Sequence, residues 1–260
     1  MFSFAGIIAL LFFIFVRPQE IYPALQEVPL IYIFFGLAVF GLIVDLRLRL
    51  IRPQPTPQLL WVILFFGWAI FAAVLKSAAP GDNIFMVSIL FVWFYLISHG
   101  LAGLKAFKGL YGTVLALSFF LASVGVHQNF ADTGCVQIEG LVAGLPSSHG
   151  IPDGRACKEE KECYTNEAEP GKEYLCEKVG LFNTSSITLR VRYLGVFQDP
   201  SVLALTVAAA LPFLIGMVTT RPSFRRIMLA IIGGTVIVLC IFFSKSRGGQ
   251  LVLMSVLGVY

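Results

Sequence analysis

Two short stretches, RVRYLGVFQDPSVLAL from residue 190 and SKSRGGQ from residue 244, carry the side chains best suited to chemistry. Arg190 and Arg192 alternate, so in an extended strand both point to one side. Asp199 is a good N-cap, and Pro200 suits a first helical turn because its missing N–H is not needed there. A helix therefore opens just after the arginines. In the second stretch Arg247 follows Ser246 and precedes Gly248 and Gly249, where a helix start would set free N–H groups beside a guanidinium. The planar guanidinium fork pairs with phosphate oxygens, so two such sites at one membrane level would hold a pyrophosphate. The plainer reading is that these arginines anchor helix ends at lipid headgroups, a role that suits Arg190 and Lys245 better than Arg192 and Arg247. Arg17 and Arg221 are read as anchors.

The elements that must position these residues are hydrophobic. The 260-residue chain is 57% hydrophobic and 13% charged, with a mean hydropathy of +0.84, against roughly 25% charged residues in soluble domains. Apolar runs approaching the ~20 residues that cross a bilayer lie at 2–16, 29–44, 59–75, 84–98, 109–126, 202–219 and 227–243, and another begins at Gln250 and is still apolar at Tyr260. The first run lacks a basic leading region and a small-x-small cleavage pattern, so it reads as an uncleaved helix. The expected fold is an all-α polytopic membrane protein with seven to eight transmembrane helices and one disulfide-containing extracytoplasmic loop. Its expected parts are a five-span bundle (1–126), the loop (127–187) and a motif-bearing membrane segment (188–260).

Cytoplasmic loops retain Lys and Arg. With the N-terminus cytoplasmic, the inner loops hold Arg47, Arg49 and Arg52, then Lys105 and Lys108, then Arg221, Arg225 and Arg226. Residues 127–187 then lie outside, with both arginine stretches at outer helix ends. The loop carries ten Asp/Glu against five Lys/Arg, and the rest of the chain five against fourteen. The basic remainder fits anionic lipid headgroups, and no nucleic-acid-binding motif accompanies it. Inside the loop are Cys135, Cys157, Cys163 and Cys176, while Cys240 lies alone in the seventh run. An even count on an oxidising side implies two disulfides, in any of three connectivities. A structural zinc site is the rival, although the spacing contains no C-x-x-C pair. His127 and His149 are the loop's candidate bases, set against the ordinary role of solvated loop histidines.

Coupled transporters place ionisable groups within their spans, and the seven complete runs contain none. No repeat and no pair of Gly/Pro-broken helices stands out. Polarity gathers at the outer ends of the later spans, which points to a site at the outer surface rather than a conduction path.

The pattern Arg-x-x-Gly-x-Phe-x-Asp-Pro, here Arg192, Gly195, Phe197, Asp199 and Pro200, is followed one helical hairpin later by Ser246-Arg247-Gly248. This arrangement resembles the O-antigen ligase and polymerase family of bacterial envelope glycosyltransferases. The resemblance implies about a dozen transmembrane helices in the bacterial inner membrane and a catalytic cavity at the outer leaflet. It implies transfer of a glycan from an undecaprenyl-pyrophosphate carrier to an acceptor glycan or lipid A core, with no metal and no cofactor. Arg192 and Arg247 would hold the pyrophosphate with Arg190, Ser246 and the close-approach glycines Gly195 and Gly248. The acceptor-activating histidine of the family is expected past residue 260. Ser201 stands where the family usually has Asn, and the four-cysteine segment is not part of the family motif. Two other readings stay open: a scaffold or binding protein acting through its stapled loop, and a transporter of the same lipid carrier.

Overall fold

The computed structural model describes residues 2–25, 27–51, 56–76, 80–101, 103–138, 150–164, 173–220 and 222–259. His149, Arg52 and Arg221 lie outside these residues. The described residues are mostly helical (74%). In order, the helices are α1 (Phe2–Val16), α2 (Pro18–Ile21), α3 (Leu30–Arg47), α4 (Leu59–Lys76), α5 (Pro80–Gly100), α6 (Leu104–Phe130), α7 (Pro200–Ala208), α8 (Leu211–Thr220), α9 (Phe224–Phe243) and α10 (Arg247–Val259). Every apolar run seen in the sequence is helical, the sixth in two pieces. Among the described residues, six helical segments are long and apolar enough to cross a membrane, α7 and α8 together making one of them. The stretches Ile84–Gly100 and Arg247–Val259 are shorter apolar helices. The chain packs as two compact units, residues 1–14 with 29–110 and residues 15–28 with 111–260. Packing thus divides the chain at places other than the hydropathy boundaries at 126 and 187.

In the first unit α1 and α3 meet through small residues. A Cβ on Gly6 would stand 2.6 Å from the Ala38 Cα, and one on Gly41 2.8 Å from the Phe2 carbonyl carbon. Such close backbone approach is how membrane helices gain packing where lipid removes the hydrophobic drive. Helix α3 runs past the apolar stretch to Arg47, which brings Asp45 into it, fully buried. Its carboxylate accepts from the Phe2 N–H (3.1 Å), the Ser3 N–H (2.9 Å) and the Ser3 hydroxyl (2.6 Å). These are orphan donors of the α1 N-terminus, capped from a different helix. Helix α4 buries no residue, and Trp61 and Trp68 lie exposed along it. A bilayer is the solvent that such a surface matches.

The second unit has the larger core, built on Leu121, Val191, Leu203, Val207, Ile237 and Ile241, each at most 2% exposed. The sixth apolar run is broken at Ala209 and Ala210 into α7 and α8. Pro212 causes the break, since it has no N–H to offer the Ala208 carbonyl and its ring clashes there. Helix α10 packs on α7, and Gly249 permits the contact, because a Cβ there would lie 2.5 Å from the Ala204 Cβ.

The expectation of an all-α chain is corrected by a three-stranded antiparallel sheet in the cysteine-containing segment. Strand β1 (Thr133–Ile138) lies between β2 (Gly150–Ala156) and β3 (Glu173–Lys178). The rival zinc site gives way to two disulfides, Cys135–Cys163 and Cys157–Cys176, so the first cysteine pairs with the third and the second with the fourth. Cys135 and Cys176 face each other in the β1–β3 register, yet each bonds to a cysteine outside the two strands. The cystines and the buried Tyr174 form a small core of their own, replacing apolar mass that a segment of this length lacks. Cys240 is a buried free thiol.

Candidate functional site

The two arginine stretches meet at one end of the second unit. The Val191 N–H donates to the Phe243 carbonyl (3.4 Å), and the Arg190 Nε donates to the Ser244 carbonyl (2.9 Å). The segment that opens α7 is therefore laid against the turn between α9 and α10. Ser244 and Lys245, with Lys245 at φ +50°, turn the chain out of α9. Ser246 then caps α10, its Oγ accepting the Gly249 N–H at 3.3 Å. Asp199 does the same for α7, accepting the Ser201 N–H at 2.7 Å with Pro200 in the first turn, as its residue type implied.

Arg190 is held by a tight turn whose geometry is unusual for its residues. Ile187 and Arg190 exchange both backbone hydrogen bonds, at 3.0 and 2.9 Å, across Thr188 and Leu189. Both central residues have positive φ, +51° and +58°, as a primed hairpin turn requires, although Gly and Asn are the residues that ordinarily accept it. Glu177 on β3, 5% exposed, offsets the strain. Its carboxylate accepts the N–H groups of Thr188 and Leu189 and the Ser186 hydroxyl. Sequence reasoning missed this residue, since nothing in the pattern separates it from the other acids of the loop.

Arg192 is 7% exposed and bonded through its backbone and its guanidinium. Its N–H donates to the Gln128 Oε1 (2.9 Å), its Nε to the Ser185 carbonyl (2.7 Å) and its Nη2 to the Ser185 hydroxyl (3.0 Å). Burial pushes its guanidinium below the usual range, and the nearby Glu177 charge acts in the opposite sense. The recess it lines with Gly150, Asn183 and Gln198 holds about 20 Å³, room for about one water molecule. The two alternating arginines thus diverge: Arg192 ties the Ser185 segment that follows β3 to α6, while Arg190 is half-buried and Arg247 exposed.

The remaining predicted residues fall into place around this junction. Ser246 is 1% exposed and spends its hydroxyl on the α10 cap. Gly248 would accept a Cβ without a clash, its nearest neighbours lying 3.8 Å away, so packing does not require glycine there. Gly195, at φ +60°, is the residue on which Arg17 lies, and a Cβ would stand 2.1 Å from the Arg17 Cζ. Arg17 is not a headgroup anchor. Its guanidinium pairs with Glu20 and folds over the Gly195 turn, because the neighbouring chain is tied down by the Tyr193 hydroxyl donating to the Val16 carbonyl at 2.6 Å. Burial, reinforced by Glu20 and opposed by Arg17, raises the Tyr193 phenol's pKa, so it stays a neutral donor. His127 is exposed at the last turn of α6 and stands apart from these contacts.

Comparison with family models, with curated proteins and with solved structures finds no match for this chain.

Proposed function

We propose that the chain is a membrane glycosyltransferase of the O-antigen ligase and polymerase type, acting on an undecaprenyl-pyrophosphate-linked glycan at the outer face of the bacterial inner membrane. In this reading the chain crosses the membrane at all eight apolar helices, with the N-terminus cytoplasmic and the cystine-stapled sheet outside. The observation that carries it is the junction of the two stretches, where Arg190 binds the Ser244 carbonyl three residues before Arg247. Of these three arginines, Arg247 is exposed and Arg190 half-buried, and they take the pyrophosphate. Arg192 frames them from below and reaches a phosphate only if the recess around it opens.

The step is a displacement at the anomeric carbon. The acceptor hydroxyl oxygen forms the new glycosidic bond while the bond to the carrier's phosphate oxygen breaks. That oxygen keeps the electron pair, and the hydroxyl proton passes to a base. Negative charge grows on the pyrophosphate as the bond breaks, and fixed cations stabilise it more in the transition state than in the ground state. The acceptor is a glycan or lipid A core. In the complete gene product, Arg247→Ala is expected to abolish transfer from a lipid-linked donor while leaving membrane insertion intact, and undiminished transfer would remove Arg247 from the site.

One observation favours a second reading, a binding protein acting through the sheet: Arg192 is buried and engaged by the protein itself. Under that reading, loss of the disulfides ends function while Arg190→Ala and Arg247→Ala leave it unchanged.

A further inference from the structure

Where the end of α6 runs into the sheet, a cavity of about 530 Å³ opens between His127, Phe130, Asp132, Pro152 and Arg155, within the ~300–1,000 Å³ usual for small-ligand sites. We infer that this cavity is a saccharide-binding site, and that it holds the acceptor glycan; the second clause rests on the transferase reading above.

The chemistry of the lining selects the ligand. Phe130 lines the cavity and is 74% exposed, so most of its ring stays open beyond its edge contact with Phe243. Its ring face carries partial negative charge, which suits the weakly positive C–H face of a pyranose. Around it stand an exposed carboxylate, Asp132, and an imidazole, His127, both able to accept from hydroxyls. Arg155 also lines the cavity, its charge held by the protein. Its Nε binds the Asp153 carboxylate at 2.7 Å, its Nη2 pairs with the same oxygen, and its cation lies 5.1 Å from the centre of the Tyr174 ring. An anion is disfavoured because Arg155 is already matched by Asp153 and Asp132 would repel it. An acyl chain is disfavoured because it would strand these polar groups. An uncharged polyhydroxylated ligand donates to the Asp132 and His127 acceptors and brings no charge of its own.

The walls are preset, which lowers the entropy lost on binding. Gly134 and Ala156, which line the cavity, directly precede Cys135 and Cys157, one from each disulfide. The cavity also borders the arginine junction. The Phe130 ring meets Phe243 edge-on at 5.6 Å, and the Phe243 carbonyl is the one that receives the Val191 N–H.

The test is saturation-transfer-difference NMR on the whole chain in detergent, with maltose, lactose, cellobiose and N,N′-diacetylchitobiose as probes. At least one disaccharide is expected to receive transfer at its ring C–H protons. The signal is expected to fall at least five-fold in Phe130→Ala and in Asp132→Asn and to persist in Arg247→Ala. Both substituted residues are exposed, so the variants should keep the thermal melt and disulfide map of the parent. No transfer to any of the four, or equal signals in both cavity variants, overturns the site. Saccharide binding with no glycosyl transfer by the complete gene product supports the cavity and removes the transferase reading. Transfer activity without saccharide binding here does the reverse.

Discussion

Glu177→Gln tests whether a buried carboxylate holds the turn that presents Arg190. In the parent, one carboxylate oxygen takes the Thr188 N–H and the other takes the Leu189 N–H and the Ser186 hydroxyl. Glutamine fits the same space, but one of its two positions becomes an NH₂ facing an N–H. At least one backbone donor of a turn with φ of +51° and +58° then loses its acceptor. A hydrogen bond to a charged group contributes about 1.5–3 kcal/mol, so the turn should lose about 2–3 kcal/mol of protection against local opening. With each 1.4 kcal/mol worth a factor of ten, the amides of Thr188 and Leu189 should exchange about 30- to 150-fold faster. Hydrogen exchange by mass spectrometry on peptides covering 179–194 reads this directly, because local opening is resolved from global unfolding. The α9 amides serve as internal control. Exchange within three-fold of the parent at Thr188 and Leu189 would refute the reasoning, since the strained turn would then be held by something other than the carboxylate.

Four further outcomes follow from the same contacts. Non-reducing peptide mapping should find Cys135 linked to Cys163 and Cys157 to Cys176, with Cys240 alkylated only after denaturation; loop closure assigns each bridge roughly 3–4 kcal/mol, so Cys157→Ser with Cys176→Ser should destabilise the sheet measurably by limited proteolysis. Gly249→Ala should lower the thermal midpoint because its Cβ would lie 2.5 Å from that of Ala204, whereas Gly248→Ala should leave the midpoint unchanged; equal shifts would contradict the packing of α10 on α7. Gly195→Ala places a side chain at φ +60° and against Arg17, and about 1–2 kcal/mol of destabilisation is expected from the backbone alone, read by chemical denaturation in detergent. Asp45→Ala leaves the α1 donors uncapped and should cost about 0.5–2 kcal/mol in the first unit, with no effect expected on exchange in the sheet.

Hydropathy made the helices legible because a bilayer-crossing segment is specified by its own composition, and both α7 and α10 begin where their capping residues place them. The sheet was hidden for the opposite reason. Its strands are short, interrupted by Gly and Pro, and interleaved with charges, so their alternation is faint, and their stability comes from cross-links whose pairing spacing cannot choose. The break at Ala209 and Ala210 was signalled only by Pro212 inside an otherwise continuous run. At the candidate site, residue type pointed to Arg190, Arg192 and Arg247 but not to their different roles. Those roles are set by long-range partners: Gln128 lies 64 positions from Arg192, and Val16 lies 177 from Tyr193. Arg17 shows the same limit, because an arginine at a span end looks like a headgroup anchor until the Gly195 turn is seen beneath it.

The contrast between Arg192 and Arg247 explains why the chain uses several arginines at one junction. An exposed guanidinium on a helix terminus keeps its charge available but has little to fix its position, since long side chains at surfaces lose much entropy when ordered. Fixing the backbone beneath it requires polar partners for the groups it buries, because an unsatisfied buried group is costly. Arg192 supplies that frame: a guanidinium has donors enough to bind the Ser185 hydroxyl and carbonyl together, while the N–H of the same residue binds Gln128 of α6. Glu177 supplies the compensating charge and fixes the turn that leads to Arg190. Arg190 in turn ties that turn to Ser244, three residues before Arg247. The buried cation is thus the structural premise of Arg190 and Arg247, and under the proposed transferase reading a substitution at Arg192 and one at Arg247 should both silence the pyrophosphate site, the first with loss of local order and the second without it.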